Sequence, residues 1–161
     1  MDSTITFNKN GGTGGTDSTT ITHGTKQGSY PDISLPTMTG YTFAGYYDSA
    51  SGGTQYYNSS GQSVRDWDKT SDTTLYAHWT AKVYTITFNK NGGTEGTDST
   101  TIVHGTKQGS YPDISLPTMT GYTFAGYYDS ASGGTQYYNS SGQSVRDWDK
   151  TSDTTLYAHW F

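Results

Sequence analysis

Apolar residues along this chain come in short runs that alternate with polar ones, a period of two rather than 3.6. Thr4-Ile5-Thr6-Phe7 sets an apolar side chain at every second position and ends at Asn10-Gly11-Gly12, which predicts a strand followed by a tight reversal. Ser18 to His23 is a second β-prone stretch, closed by Gly24. Gly40 to Tyr47 predicts a third strand, turned at Ser51-Gly52-Gly53, and Thr54 to Tyr57 returns as a short fourth before Ser59-Ser60-Gly61. Thr74 to Trp79 closes the pattern, with Leu75, Ala77 and Trp79 on one face and His78 on the solvent side. Two stretches lack this period. Thr25–Thr39, with Pro31 and Pro36, suits a crossover containing at most one short helical turn, and Val64–Asp72 is a connection that carries Trp67.

The whole pattern then repeats. Residues 4–79 recur at 85–160 with an offset of 81, and only two of the 76 aligned positions differ: Gly14 becomes Glu95, and Thr22 becomes Val103. Such a unit exceeds most solenoid repeats and is large enough to own a small core. The chain therefore divides into repeat 1 (residues 1–80) and repeat 2 (residues 81–161). The cores are expected from Phe7, Phe43, Leu75 and Trp79, with Phe88, Phe124, Leu156 and Trp160. The joint Thr80-Ala81-Lys82-Val83 has no Gly or Pro, which predicts an elongated arrangement of two monomeric beads, each with a radius of gyration of roughly 11 Å. Met1-Asp2-Ser3 precedes copy one where Lys82-Val83-Tyr84 precedes copy two. That contrast is expected if further copies exist in a parent chain.

Composition changes the picture in one respect. Leu, Ile, Val and Phe together number only 19 of 161 residues, a fraction that by itself indicates disorder. Against it stand a net charge of only −5 and 24 aromatic residues, each able to bury a large apolar area. The core must then be aromatic and strand-built. Four Leu, one Glu and seven Lys leave little for helices, so the expected class is mainly β, a small α+β unit at most.

Several functions drop out. Without cysteine there is no disulfide, thiolate metal site or cysteine nucleophile. No apolar run approaches the ~18 residues of a membrane span. Two arginines and scattered lysines make no basic stripe for nucleic acid. His23, His78 and their copies are the only imidazoles, and no Gly-x-Ser-x-Gly elbow accompanies them, so neither an enzyme nor a cofactor is expected. Asp66, Asp68 and Asp72 offer calcium-type oxygens but lack EF-hand spacing, and Lys69 interrupts them; a solvated connection is the simpler expectation. Lys9, Lys26 and Lys69 are the candidates for an isopeptide cross-link, which would need an aspartate as the neighbouring acid. The consecutive pairs Tyr46-Tyr47 and Tyr56-Tyr57 should each send one ring outward. Tyr46, Tyr56, Tyr127 and Tyr137 are accordingly the candidate ligand-facing residues, suited to stacking on a sugar or meeting a protein.

TITFNKNGGT, then LPTMTGYTFAGYYDSASGGTQY, then DTTLYAHW occur in the same order in both copies. This order resembles the internalin-type B repeat, or Listeria–Bacteroides repeat, of bacterial surface proteins. Gly40 to Tyr47 matches its middle block, with Tyr46 and Tyr127 where tryptophan is usual. Leu75, Tyr76, Ala77 and Trp79 match its closing block. The resemblance implies a small β-grasp, ubiquitin-like fold in an extracellular or cell-surface protein and no enzymatic activity. Two roles follow as expectations. One is a stalk or spacer whose partners are further copies in the parent chain; the other is an adhesive module for a host glycan or protein.

Overall fold

The computed structural model describes residues 1–161. The chain divides into two compact units, Met1–Thr80 and Ala81–Phe161. In the first, the alternating sequences become strands β1 (Asp2–Asn8), β2 (Ser18–Thr22), β3 (Tyr41–Tyr47), β4 (Gln55–Tyr57) and β5 (Thr73–Ala81). The second repeats them as β6 (Val83–Asn89), β7 (Ser99–Val103), β8 (Phe124–Tyr128), β9 (Gln136–Tyr138) and β10 (Thr154–Trp160).

Each unit is one five-stranded mixed sheet, ordered β2-β1-β5-β3-β4 and β7-β6-β10-β8-β9. β1 and β2 form an antiparallel pair from Asp2↔Thr22 to Thr6↔Ser18. β5 then enters beside β1 in parallel, from Ile5↔Thr73 to Asn8↔Tyr76, and separates it from the β3–β4 pair. First and last strands are thus neighbours at the sheet's centre. Strict alternation along β1 turns Ser3, Ile5 and Phe7 inward, and Leu75 and Ala77 of β5 are fully buried beside them.

The alternation breaks in β3, where the register slips between Tyr46 and Tyr47. Gly45 has a φ of +136°, and a Cβ there would collide with the Tyr57 carbonyl. Only glycine fits a bulge so close to the next strand. The extra residue swings Tyr46 onto the face of Phe43, so its ring lies 5.1 Å from Phe43 and 4.6 Å from Phe7.

The crossover between β2 and β3 contains no helix; both units are all β. Its backbone is committed elsewhere. Thr13 and Thr37 exchange two bonds of 2.8 Å, Thr16 N–H donates to Ser34 O, and Trp67 N–H donates to Thr25 O. Pro31 and Pro36 further remove two donors that a helix would use. Where at most one short helical turn was expected, the chain forms an irregular strap.

Of the expected core, Phe7, Phe43 and Leu75 are buried, while Trp79 is only partly buried and packs against the cluster. The largest fully buried side chain is instead Trp67, at 1% exposure. It seats edge-on against Tyr56 and Tyr30, at centroid distances of 5.2 and 6.0 Å. The second unit repeats this with Trp148, Tyr137 and Tyr111.

Candidate functional site

The four tyrosines expected to face a ligand do not reach the surface. Tyr46 and Tyr127 are 0% exposed, Tyr56 and Tyr137 2%. The Gly45 bulge turns Tyr46 inward. Tyr56 belongs to the same buried cluster as Tyr57, and the connection after β4 folds back over it. Arg65 and Lys69 cap its ring at 5.2 and 5.6 Å from the centroid, and its hydroxyl donates to Asp68 at 2.7 Å. Tyr57 is inside too, its hydroxyl donating to Pro31 O at 3.1 Å. Burial pushes the Tyr46 phenol up to about 12 and the Tyr57 phenol higher still.

His78 also departs from its expected solvent position. Its ring stacks on Tyr47 at 3.8 Å and 8°, and its Nε2–H donates to Ser49 O at 2.8 Å. Because a carbonyl can only accept, this bond fixes the tautomer. His23 Nδ1 likewise donates to Lys69 O at 3.0 Å. Both imidazoles orient backbone.

The aspartates of residues 66–72 disperse. Asp66 accepts from Gln27 N–H at 2.8 Å, Asp68 from Tyr56 and Arg65, and Asp72 from Thr4 N–H at 2.8 Å. The Tyr56 hydroxyl, with Arg65, holds the Asp68 carboxyl below the usual carboxylate range. The lysines pair with aspartates, Lys69 with Asp48 at 2.9 Å, Lys9 with Asp17 at 3.2 Å and Lys26 with Asp66 at 3.4 Å.

One concave site occurs in both units. Between the crossover and the turn after β4 lies a shallow cleft of about 420 Å³, lined by Gln27, Gly28, Tyr30, Pro31, Asp32, Gly61, Gln62 and Ser63. The equivalent residues, Gln108 to Asp113 and Gly142 to Ser144, line one of about 450 Å³ in the second unit. Gly28 N–H donates to Ser63 Oγ at 2.6 Å, which joins the two walls. Gln27, Asp32 and Gln62 are exposed on the rim. Two amides and a carboxylate beside Tyr30 and Pro31 can exchange hydrogen bonds with a neutral polyol and offer it an apolar wall. Sequence reasoning passed over these residues; Gln27 to Asp32 fell within the irregular crossover, and Gly61 read only as part of a turn.

Two copies of a five-stranded, aromatic-cored unit define a tandem-repeat β module. The chain belongs to the Listeria–Bacteroides repeat domain family, whose sequence profile matches it twice, over residues 4–78 and 84–159. It is also similar to Internalin H of Listeria monocytogenes serovar 1/2a, with 36% identity over 123 residues. That match takes in 76% of this chain but 20% of the length of Internalin H. No solved structure matches the chain.

Proposed function

We propose that the two units are spacer repeats of a large secreted or cell-surface bacterial protein of adhesin type, and that they act by setting distance rather than by catalysis. One observation carries this reading: each unit holds its own aromatic core, with eleven buried positions shared by the two and Tyr84 added in the second. Copies can then be added or lost without designing a new contact. The strand order, with first and last strands parallel at the centre, supports a β-grasp-like fold in which an irregular strap stands where a ubiquitin-like unit carries its helix. The test is to delete residues 81–161 from the parent protein on its cell. Binding by the remaining segments should be unchanged in solution, while a terminal tag should sit closer to the surface by super-resolution imaging. Loss of solution binding on that deletion overturns the spacer reading.

The duplicated cleft favours a second reading, an adhesive module that takes a neutral glycan between Gln27, Asp32 and Gln62. On a printed glycan array the chain should then select ligands that the double variant Asp32→Ala, Asp113→Ala does not bind. An array without selective binding removes this reading.

A further inference from the structure

In each unit the chain enters through β1 and leaves through β5, and these two strands are parallel neighbours. Tension applied through the two ends of a unit therefore slides one strand along the other. Their ladder bonds lie across the direction of pull, so they share the load at once. A hairpin pulled from its open end loses its bonds one at a time.

Three further bonds join the same two segments, all between residues 67 to 70 positions apart. Thr4 N–H donates to Asp72 Oδ1 at 2.8 Å. The Asn10 side-chain amide donates to Ala77 O at 2.9 Å, and Trp79 Nε1–H donates to Lys9 O at 3.0 Å. The second unit repeats them as Thr85–Asp153, Asn91–Ala158 and Trp160–Lys90, at 2.9, 3.0 and 3.0 Å. Local geometry serves these contacts. Asn10 holds a left-handed φ of 50°. Gly12 leaves room for the Trp79 ring, since a Cβ there would run into the indole.

We infer that the central β1–β5 pair, locked by Asp72, Asn10 and Trp79, is a force-bearing clamp that makes each unit resist tension along the chain. Asn10 opens the Asn-Gly-Gly turn and Trp79 closes the unit, so two motif residues of the repeat acquire a mechanical task. The inference rests on the spacer reading, because only a unit under load needs a clamp.

The experiment is single-molecule force spectroscopy on the full chain. The protein has no cysteine, so introduced cysteines give unique attachment points. Pulling through the chain ends shears β1 against β5. Pulling between Asp2→Cys and Ser71→Cys, both exposed and at the same end of the two strands, peels the first unit open. The expected rupture force is roughly twofold or more higher for shear, because several bonds, each individually weak, must then fail together. Equal forces in the two directions overturn the clamp. The paired variants Trp79→Phe with Trp160→Phe, and Asn10→Ala with Asn91→Ala, should lower the shear force. The control Tyr57→Phe with Tyr138→Phe loses a bond outside the pair and should lower the melting temperature without lowering that force. A force that follows melting temperature across all three also overturns it. The spacer reading fails separately: a single unfolding event for both units contradicts independent beads whatever the forces are.

Discussion

Trp67 is the side chain whose loss each unit should tolerate least. It is 1% exposed and is ringed by Tyr30 and Tyr56, so Trp67→Ala should cost about 3–5 kcal/mol. In a melt of the full chain that variant should show an early transition for unit one and an unchanged one for unit two. Two tyrosines offer a finer comparison. Tyr57 donates its hydroxyl to Pro31 O, whereas the buried Tyr46 hydroxyl has no partner. Tyr57→Phe should lose about 1 kcal/mol, while Tyr46→Phe should be neutral or stabilising, since it removes an unpaired polar atom. Denaturant midpoints of the two variants decide this. The sequence made an aromatic core legible through the shortage of aliphatic residues. It did not reveal which tyrosines point inward, because alternation fails where Gly45 inserts a bulge and where a connection returns over Tyr56.

Strands were legible because each of the five in a unit carries a clean period of two or a turn signal at its end. The strap between β2 and β3 was not, since its backbone partners lie in Thr13, Thr16 and Trp67, far away in sequence. The turn after β1 contains one of the two differences between copies. Gly14 has a φ of +71°, and Glu95 keeps nearly the same conformation at +66°. A non-glycine residue in that region carries a strain of about 1–2 kcal/mol. Glu95→Gly should therefore stabilise unit two by about 1 kcal/mol, and Gly14→Glu should destabilise unit one to match. Thermal melts that leave either unit unmoved contradict this account.

Buried phenols set the pH range of the whole chain. Desolvation raises Tyr30, Tyr46 and Tyr57, and their equivalents in the second unit, above the ordinary value of 10.0. The folded form thus keeps protons that the unfolded form releases, so this stabilisation is whole below pH 10 and is lost as pH rises beyond it. Both units should unfold in alkali, and the last tyrosinate absorbance to appear should coincide with loss of β circular dichroism. Absorbance from all 15 tyrosines that is complete before the structure melts would place these rings in solvent. At the acid end, Thr54 N–H with Lys69 lowers Asp48, and Tyr56 with Arg65 lowers Asp68. The stability they contribute is present above the ordinary 3.8 and fades as pH falls below it.

The place of β5 between β1 and β3 also governs timing. As a unit leaves the ribosome or an export channel, its first 72 residues can make two hairpins but no continuous sheet, because the strand that joins them comes last. Thr4 must wait for Asp72, 68 residues behind it, so closure is a late, non-local step. With near-identical copies in series, a waiting β1 could be completed by the wrong neighbour. Vectorial emergence removes the ambiguity, since its own β5 arrives 81 residues before the rival copy. Order of appearance, rather than sequence difference, then tells each unit which strand is its own.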